Sequence, residues 1–105
     1  MNMNEYQTAA HKTSQPERDH IQHAIHGLVA EVGEIAGNYQ RYFRGDFGYG
    51  TVRSNLHKEL GDVLWYLAEL ATVHEFTLDT IARANLAKLA SREANNTIKG
   101  SGEER

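Results

Sequence analysis

The sequence predicts an all-α protein built from four helices, on three observations. A single proline in 105 residues and the lack of any sustained strand-period alternation leave helices as the regular structure. Large apolar residues recur in two long stretches at alternating steps of four and three, the spacing of a helix face packed against another helix. Between those stretches, glycines gather from Gly45 to Gly50 and mark one clear break.

Taken in order, "MNEYQTAAHKT" at 3–13 reads as a short helix of modest amphipathicity. "SQPERD" then offers Ser14 as an N-cap, with Pro16 in the first turn and acids beside it, so a second helix is predicted to begin there. Its apolar seam runs through Ile21, Ile25, Leu28, Val32, Ile35, Tyr39 and Tyr42, and it ends near Arg44. "RGDFGYG" is a loop. Leu56, Leu60, Val63, Leu64, Leu67, Leu70 and Ala71 rebuild the spacing in a third helix that ends near His74. Thr77 caps a fourth, with Leu78, Ile81, Asn85, Leu86 and Leu89 along one side and an end near Arg92. Residues 1–93 are thus expected to form one domain and 94–105 a flexible tail.

Composition narrows the function classes. With 40% apolar and 24% charged residues and a net charge of -3, the chain fits a soluble globular protein without the basic field that nucleic acid attracts. No run of 18 apolar residues and no secretory leader stand out, so no membrane partner is expected and the cytoplasm is the default location. A domain this small buries a limited share of its surface alone, which makes association with further copies an expectation. The chain has no cysteine, so any metal must be held by oxygen or imidazole.

The chemistry lies in acidic pairs. On a helical wheel, Glu31 falls about 60° and Glu34 about 120° to one side of the seam through Leu28, Val32 and Ile35. On the third helix, Glu59 lies about 100° and Asp62 about 160° round from the seam through Leu60, Leu64 and Leu67. A single such pair is ordinarily solvated surface. Two pairs brought together by antiparallel packing repel one another and raise their own pKa values unless a cation intervenes. An all-oxygen donor set matches Mg²⁺, with Mn²⁺ as the alternative, and both ions bind phosphate oxygens.

"EVGE" at 31–34, a spacer of 24 residues and "ELGD" at 59–62 resemble the ExxE and ExxD motifs of the MazG-like all-alpha nucleoside triphosphate pyrophosphohydrolases. "GLVAEVGEIAG" and "KELGDVLWYLAELA" are similar to that family's two motif helices, and "NLAKLASR" at 85–92 to its Asn-x-x-Lys segment. The likeness extends over roughly residues 20–92. It implies a four-helix fold with a central antiparallel hairpin, completed as a bundle by oligomerisation into a homodimer or homotetramer. It also implies cleavage of a nucleoside triphosphate between the α and β phosphates, giving the monophosphate and pyrophosphate, in the service of nucleotide-pool house-cleaning. Glu31, Glu34, Glu59 and Asp62 would hold Mg²⁺, with Glu34, further from the seam, preferred as general base. Asn85 and Lys88 would contact phosphate or substrate, and Lys58 similarly. Narrower relatives stay open, namely a dCTP or dUTP pyrophosphatase or a phosphoribosyl-ATP pyrophosphatase, as does a helical interaction module that keeps the acids for structural metal.

Other residues carry weaker signals. His20, His23 and His26 step about 60° apart around the helix and so do not converge as a zinc site. His23, nearest the acidic edge, is placed at the base pocket, and Tyr66, also near that edge, is a candidate for stacking on a nucleobase. Trp65, about 140° from the seam, is expected at an oligomer contact, and Lys12 and Thr13 are expected to be ordinary surface. Glycine inside a helix costs about 1 kcal/mol relative to alanine, so Gly27, Gly33 and Gly37 suggest close approach by a neighbour.

Overall fold

The structure, a computed structural model, describes residues 1–15 and 19–105. Among the described residues there are four helices and no strand: α1 (Met3–His11), α2 (His20–Arg44), α3 (Tyr49–Val73) and α4 (Leu78–Ala94). The all-α class and the number of helices match the sequence expectation, and the differences lie at the ends and in the seam.

Asn2 caps α1 by accepting from the Glu5 N–H at 2.8 Å, and the helix gives way to a turn at Lys12 and Thr13. The N-cap of α2 is Asp19 rather than Ser14; its carboxylate accepts from the Gln22 N–H at 3.1 Å. An acidic cap also faces the positive end of the helix dipole, an advantage serine lacks. The predicted first turn at Pro16 lies outside the described residues. At the other end, Gly45 adopts φ 90°, and N–H groups of Gly45 and Asp46 close the last turn onto Tyr42 and Arg41 carbonyls. That left-handed cap is why a glycine follows Arg44.

The predicted loop is shorter than "RGDFGYG", because α3 starts at Tyr49 with Gly48 as its cap. Tertiary contacts draw the start forward: Val52 is 1% exposed, and its carbonyl accepts from Asn38 Nδ2 at 3.1 Å. Asn55 Nδ2 in turn donates to Asn38 Oδ1 at 2.9 Å, so a buried amide locks the loop end of an α2–α3 hairpin. Thr77 caps α4 as expected, accepting from the Thr80 N–H.

α1 is bound to the far end of this hairpin by buried polar contacts. Gln7 donates to Thr72 Oγ1 at 3.0 Å and to the Phe76 carbonyl at 2.8 Å, and its Oε1 accepts from the Leu78 N–H at 2.8 Å. Asn4 accepts from the Asp79 N–H, so α1 satisfies two of the orphan donors that open α4. His11 Nδ1 lies 3.1 Å from the buried carboxylate of Glu69. Beneath these contacts, Ala68, Ala71 and Leu78 form a small core flanked by Tyr6 and Leu64.

The seam of α2 differs from its prediction. Ala24 and Asn38 are buried, Gly27, Leu28, Glu31 and Ile35 are partly buried, but Ile21, Ile25 and Val32 are 46%, 43% and 52% exposed. The packed face is therefore rotated toward the acidic edge, and an apolar stripe that also includes Val29 faces outward. Leu60, Leu67, Leu86 and Leu89 are exposed as well. The chain has a radius of gyration of 16.8 Å, whereas a compact domain of this length has about 13 Å. Its accessible surface is 7660 Å², roughly 1,700 Å² above that of a compact monomer of its size. α4 packs chiefly on α1, and the last residues fold back along it, with Glu103 bonded to Lys88 and Arg105 to the Thr97 and Ile98 carbonyls.

Candidate carboxylate site

The antiparallel hairpin sets residues in layers. Asn38 meets Asn55 near the loop; Glu31 meets Glu59 and Asp62 in the middle; Gly27 meets Tyr66 one turn further; His23 meets Tyr66 and Trp65 beyond that. In the middle layer, one carboxylate oxygen each from Glu31, Glu59 and Asp62 lies within 4.8 Å of the others. Glu31 and Glu59 are partly buried and Asp62 is exposed, so the group opens to solvent on one side. The rotation of α2 brings this about, since it turns Glu31 into the helix contact instead of leaving it on the shoulder.

The electrostatics follow from the crowding. The Glu31 carboxyl is pushed up from 4.5 to about 7, first by burial, then by a hydrogen bond shared with Glu59 and by the charges of Asp62, Glu59 and Glu34. A proton between Glu31 and Glu59 does what a cation would do in its place. Three oxygen donors at this spacing, with no sulfur or imidazole among them, fit a hard divalent cation. Among the described residues no histidine joins the group.

Glu34 stands outside this tight group. It is exposed on α2, one turn from Glu31 and near enough for its charge to raise Glu31. A cavity of about 330 Å³ opens beside the acids, lined by Glu31, Asp62, Trp65 and Tyr66. The rings of Trp65 and Tyr66 stand edge to face, 5.0 Å apart at 85°. His23 sits 5.5 Å from the Tyr66 ring and 6.4 Å from the Trp65 ring, behind the same wall. Tyr6 on α1 is also within electrostatic reach: its hydroxyl is raised above 10.0, by burial first and then by Asp62.

The other predicted site residues are not gathered here within one chain. Lys58 is exposed beside Glu59, and Asn85 is exposed on α4. Lys88 is paired with Glu103 of the C-terminal segment at 2.5 Å. Trp65, expected at an oligomer contact, lines the cavity in this chain. Its indole Nε1 donates to Thr13 Oγ1 at 2.9 Å, so α1 covers that flank of α3 and turns the ring toward the acids. Helix-wheel angles place a Cβ, and a long indole held by a neighbour escapes them. Of the three glycines inside α2, Gly27 has the close neighbour, the Tyr66 ring, whereas Gly33 faces open space and Gly37 meets only the Arg41 side chain.

Fold and site together define an all-α protein organised around carboxylates that converge between two antiparallel helices. The sequence matches the MazG nucleotide pyrophosphohydrolase domain over residues 19–97, a span that includes the three converging acids, and the chain belongs to that family. It is also 44% identical over 81 residues to the Gene 37 protein of Mycobacterium phage L5, a match covering 75% of this chain and 71% of the phage protein. No solved structure matches the chain. No helix among the described residues is long and apolar enough to cross a membrane.

Proposed function

We propose that the chain hydrolyses a nucleoside triphosphate between the α and β phosphates, with Glu31, Glu34, Glu59 and Asp62 holding Mg²⁺ or Mn²⁺. The observation that carries this reading is the convergence of Glu31, Glu59 and Asp62 beside a cavity with an aromatic wall. When bound, the cation supplies positive charge against the polyphosphate oxygens and acidifies water. In this reading Glu34, exposed one turn from Glu31, takes the proton as water attacks the α phosphorus. The new P–O bond forms as the bond to the α–β bridging oxygen breaks, and pyrophosphate departs with that oxygen. Tyr66 and Trp65 form the surface for the nucleobase with His23 backing it at the base pocket, and Lys58, Asn85 and Lys88 contact phosphates.

A second copy completes the assembly in this reading. The outward stripe of Ile21, Ile25, Val29 and Val32 and the excess of exposed surface support a homodimer or homotetramer. An excess near 1,700 Å² per chain is about what an obligate interface buries. Asn85 and Lys88, carried on α4 away from the acids of their own chain, would then act across the pair. The cellular role we assign is removal of unwanted nucleotides.

The deciding experiment incubates the purified protein with a panel of nucleoside triphosphates and Mg²⁺ or Mn²⁺, assaying pyrophosphate and orthophosphate separately. Pyrophosphate and monophosphate in equal amounts, abolished by EDTA, are expected. Orthophosphate as the sole product, or no turnover of any nucleotide, overturns the reading.

A further inference from the structure

We propose that Gly27 and Thr13, neither of which lines the cavity, are positioning residues that preset its aromatic wall for a planar base, Gly27 by seating Tyr66 and Thr13 by holding Trp65. The inference rests on the pyrophosphohydrolase reading and adds to it the positions that govern substrate selection.

Gly27 lies one turn before Glu31 on α2, and Tyr66 one turn after Asp62 on α3, so their contact is the layer next to the acids. A Cβ at residue 27 would fall under 3.0 Å from Cε1, Cζ and Cδ1 of Tyr66, closer than real Cβ atoms approach. The ring therefore rests on bare helix backbone. It has no easy retreat, because Trp65 stands edge to face on one flank at 5.0 Å and His23 at 5.5 Å. A methyl group here drives the phenol out of its seat and changes the wall beside the acids. This contact also accounts for a glycine in mid-helix, where the residue is otherwise disfavoured.

Thr13 acts on the second ring. Its hydroxyl donates to the Ala10 carbonyl at 2.7 Å, which fixes the hydroxyl orientation and presents a lone pair to the Trp65 N–H at 2.9 Å. α1 is itself secured to α3 by Gln7 on Thr72 and by His11 on Glu69, the latter one turn beyond Trp65. This helix lies outside residues 19–97, the span matched by the family. The turn after α1, outside that matched span, thus holds one wall ring.

Trp65 is the only tryptophan, so its emission reports on the wall directly. Nucleoside monophosphates with adenine, guanine, cytosine or uracil are titrated in EDTA against the wild type and the variants Gly27→Ala, Tyr66→Ala, Gly27→Ala/Tyr66→Ala, Thr13→Val and Thr13→Ser. The KM for triphosphate is measured in parallel. Gly27→Ala is expected to raise Kd and KM on the order of tenfold, the scale of losing one base–aromatic stack, and to change kcat far less. It should add nothing in the Tyr66→Ala background, where the clash is gone. Thr13→Val should shift the emission and weaken binding, and Thr13→Ser should restore both. If Gly27→Ala alone does not fold, normal thermal unfolding of the double variant supports the seat, and equal failure of the double variant overturns it. Wild-type KM and Kd in Gly27→Ala, the same loss with and without Tyr66, or a wild type whose emission responds to no nucleotide also overturn the proposal. Altered monophosphate binding in a protein that releases no pyrophosphate sinks the assigned reaction and leaves the positioning roles standing.

Discussion

Replacing Glu31 by glutamine in the metal-free protein tests the electrostatics of the site before any catalysis is measured. In the folded chain the Glu31 carboxyl is raised from 4.5 to about 7, with burial the first cause and its acidic neighbours the rest. Below pH 4.5 the group is neutral in both folded and unfolded chains. Between 4.5 and 7 the folded chain keeps a proton that the unfolded chain has released, so stability declines as pH rises through this window and levels off above it. At about 1.36 kcal/mol for each step of one in pKa, the ceiling is about 3.4 kcal/mol. Glu31 is only partly buried, and solvent screening reduces this to about 1–2 kcal/mol. Glu31→Gln removes the titrating group, so the metal-free variant should melt roughly 5–10 °C above the wild type at pH 8 and near it at pH 4.5. The assay is thermal unfolding by circular dichroism in EDTA at fixed protein concentration. Adding Mn²⁺ at pH 8 should stabilise the wild type more than the variant, because the cation relieves the same repulsion. A wild type whose pH dependence matches that of Glu31→Gln would refute the account, since the other titrating groups are common to both proteins.

Further outcomes follow from the same structure. Asp62→Asn should lower pyrophosphate release at saturating nucleotide by at least about a hundredfold with the helical spectrum unchanged, and full activity would remove Asp62 from the site. Gln7→Ala strips partners from the Leu78 N–H, the Phe76 carbonyl and Thr72, and should cost about 2 kcal/mol, read in urea unfolding. An unchanged midpoint would mean that α1 is not docked as described. Val29→Lys, in the outward stripe and away from the acids, should convert an associated species to monomer in sedimentation at micromolar concentration and lower its melting temperature. A wild type that sediments as a monomer throughout that range counts against the homo-oligomer.

The parts of the fold that local chemistry specifies were readable in the chain. Thr77 as a cap, the glycine break after Arg44 and the antiparallel run of two long helices need only propensity and turn geometry. Of the four acids that the ExxE and ExxD pairs were expected to bring together, Glu31, Glu59 and Asp62 converge and Glu34 stands outside the group. What escaped was the rotation of α2. Ile21, Ile25 and Val32 are the larger side chains and suggest the seam, yet the chain packs Ala24, Gly27, Glu31 and Asn38 inward. Hydrophobic periodicity locates an apolar face without saying which neighbour will cover it. The place of Trp65 at the cavity escaped for a related reason, since its indole is held by Thr13, fifty-two residues away in sequence. The choice between Ser14 and Asp19 as a cap turned on where the helix begins, where two good capping residues compete.

The inward face of α2 has an energetic consequence that ties the fold to the site. A hairpin contact made of a buried asparagine, a glycine and crowded carboxylates stabilises less than one made of leucine and isoleucine, because polar groups gain little over their hydration. The acidic layer is a net cost while it lacks a countercharge, as the raised Glu31 shows. Several large apolar side chains that would ordinarily offset this cost, Ile21, Ile25, Leu60 and Leu67 among them, lie exposed on the same helices. On the proposed reading, burial of that stripe by a second copy and binding of a cation between the helices each offset a different part of the deficit. The isolated, metal-free chain is then the least stable species, and assembly and metal loading favour each other because both favour the same hairpin geometry. On that reading, a face with the spacing of a single-chain core would join two chains, which leaves the interior of the hairpin free to be polar enough for chemistry.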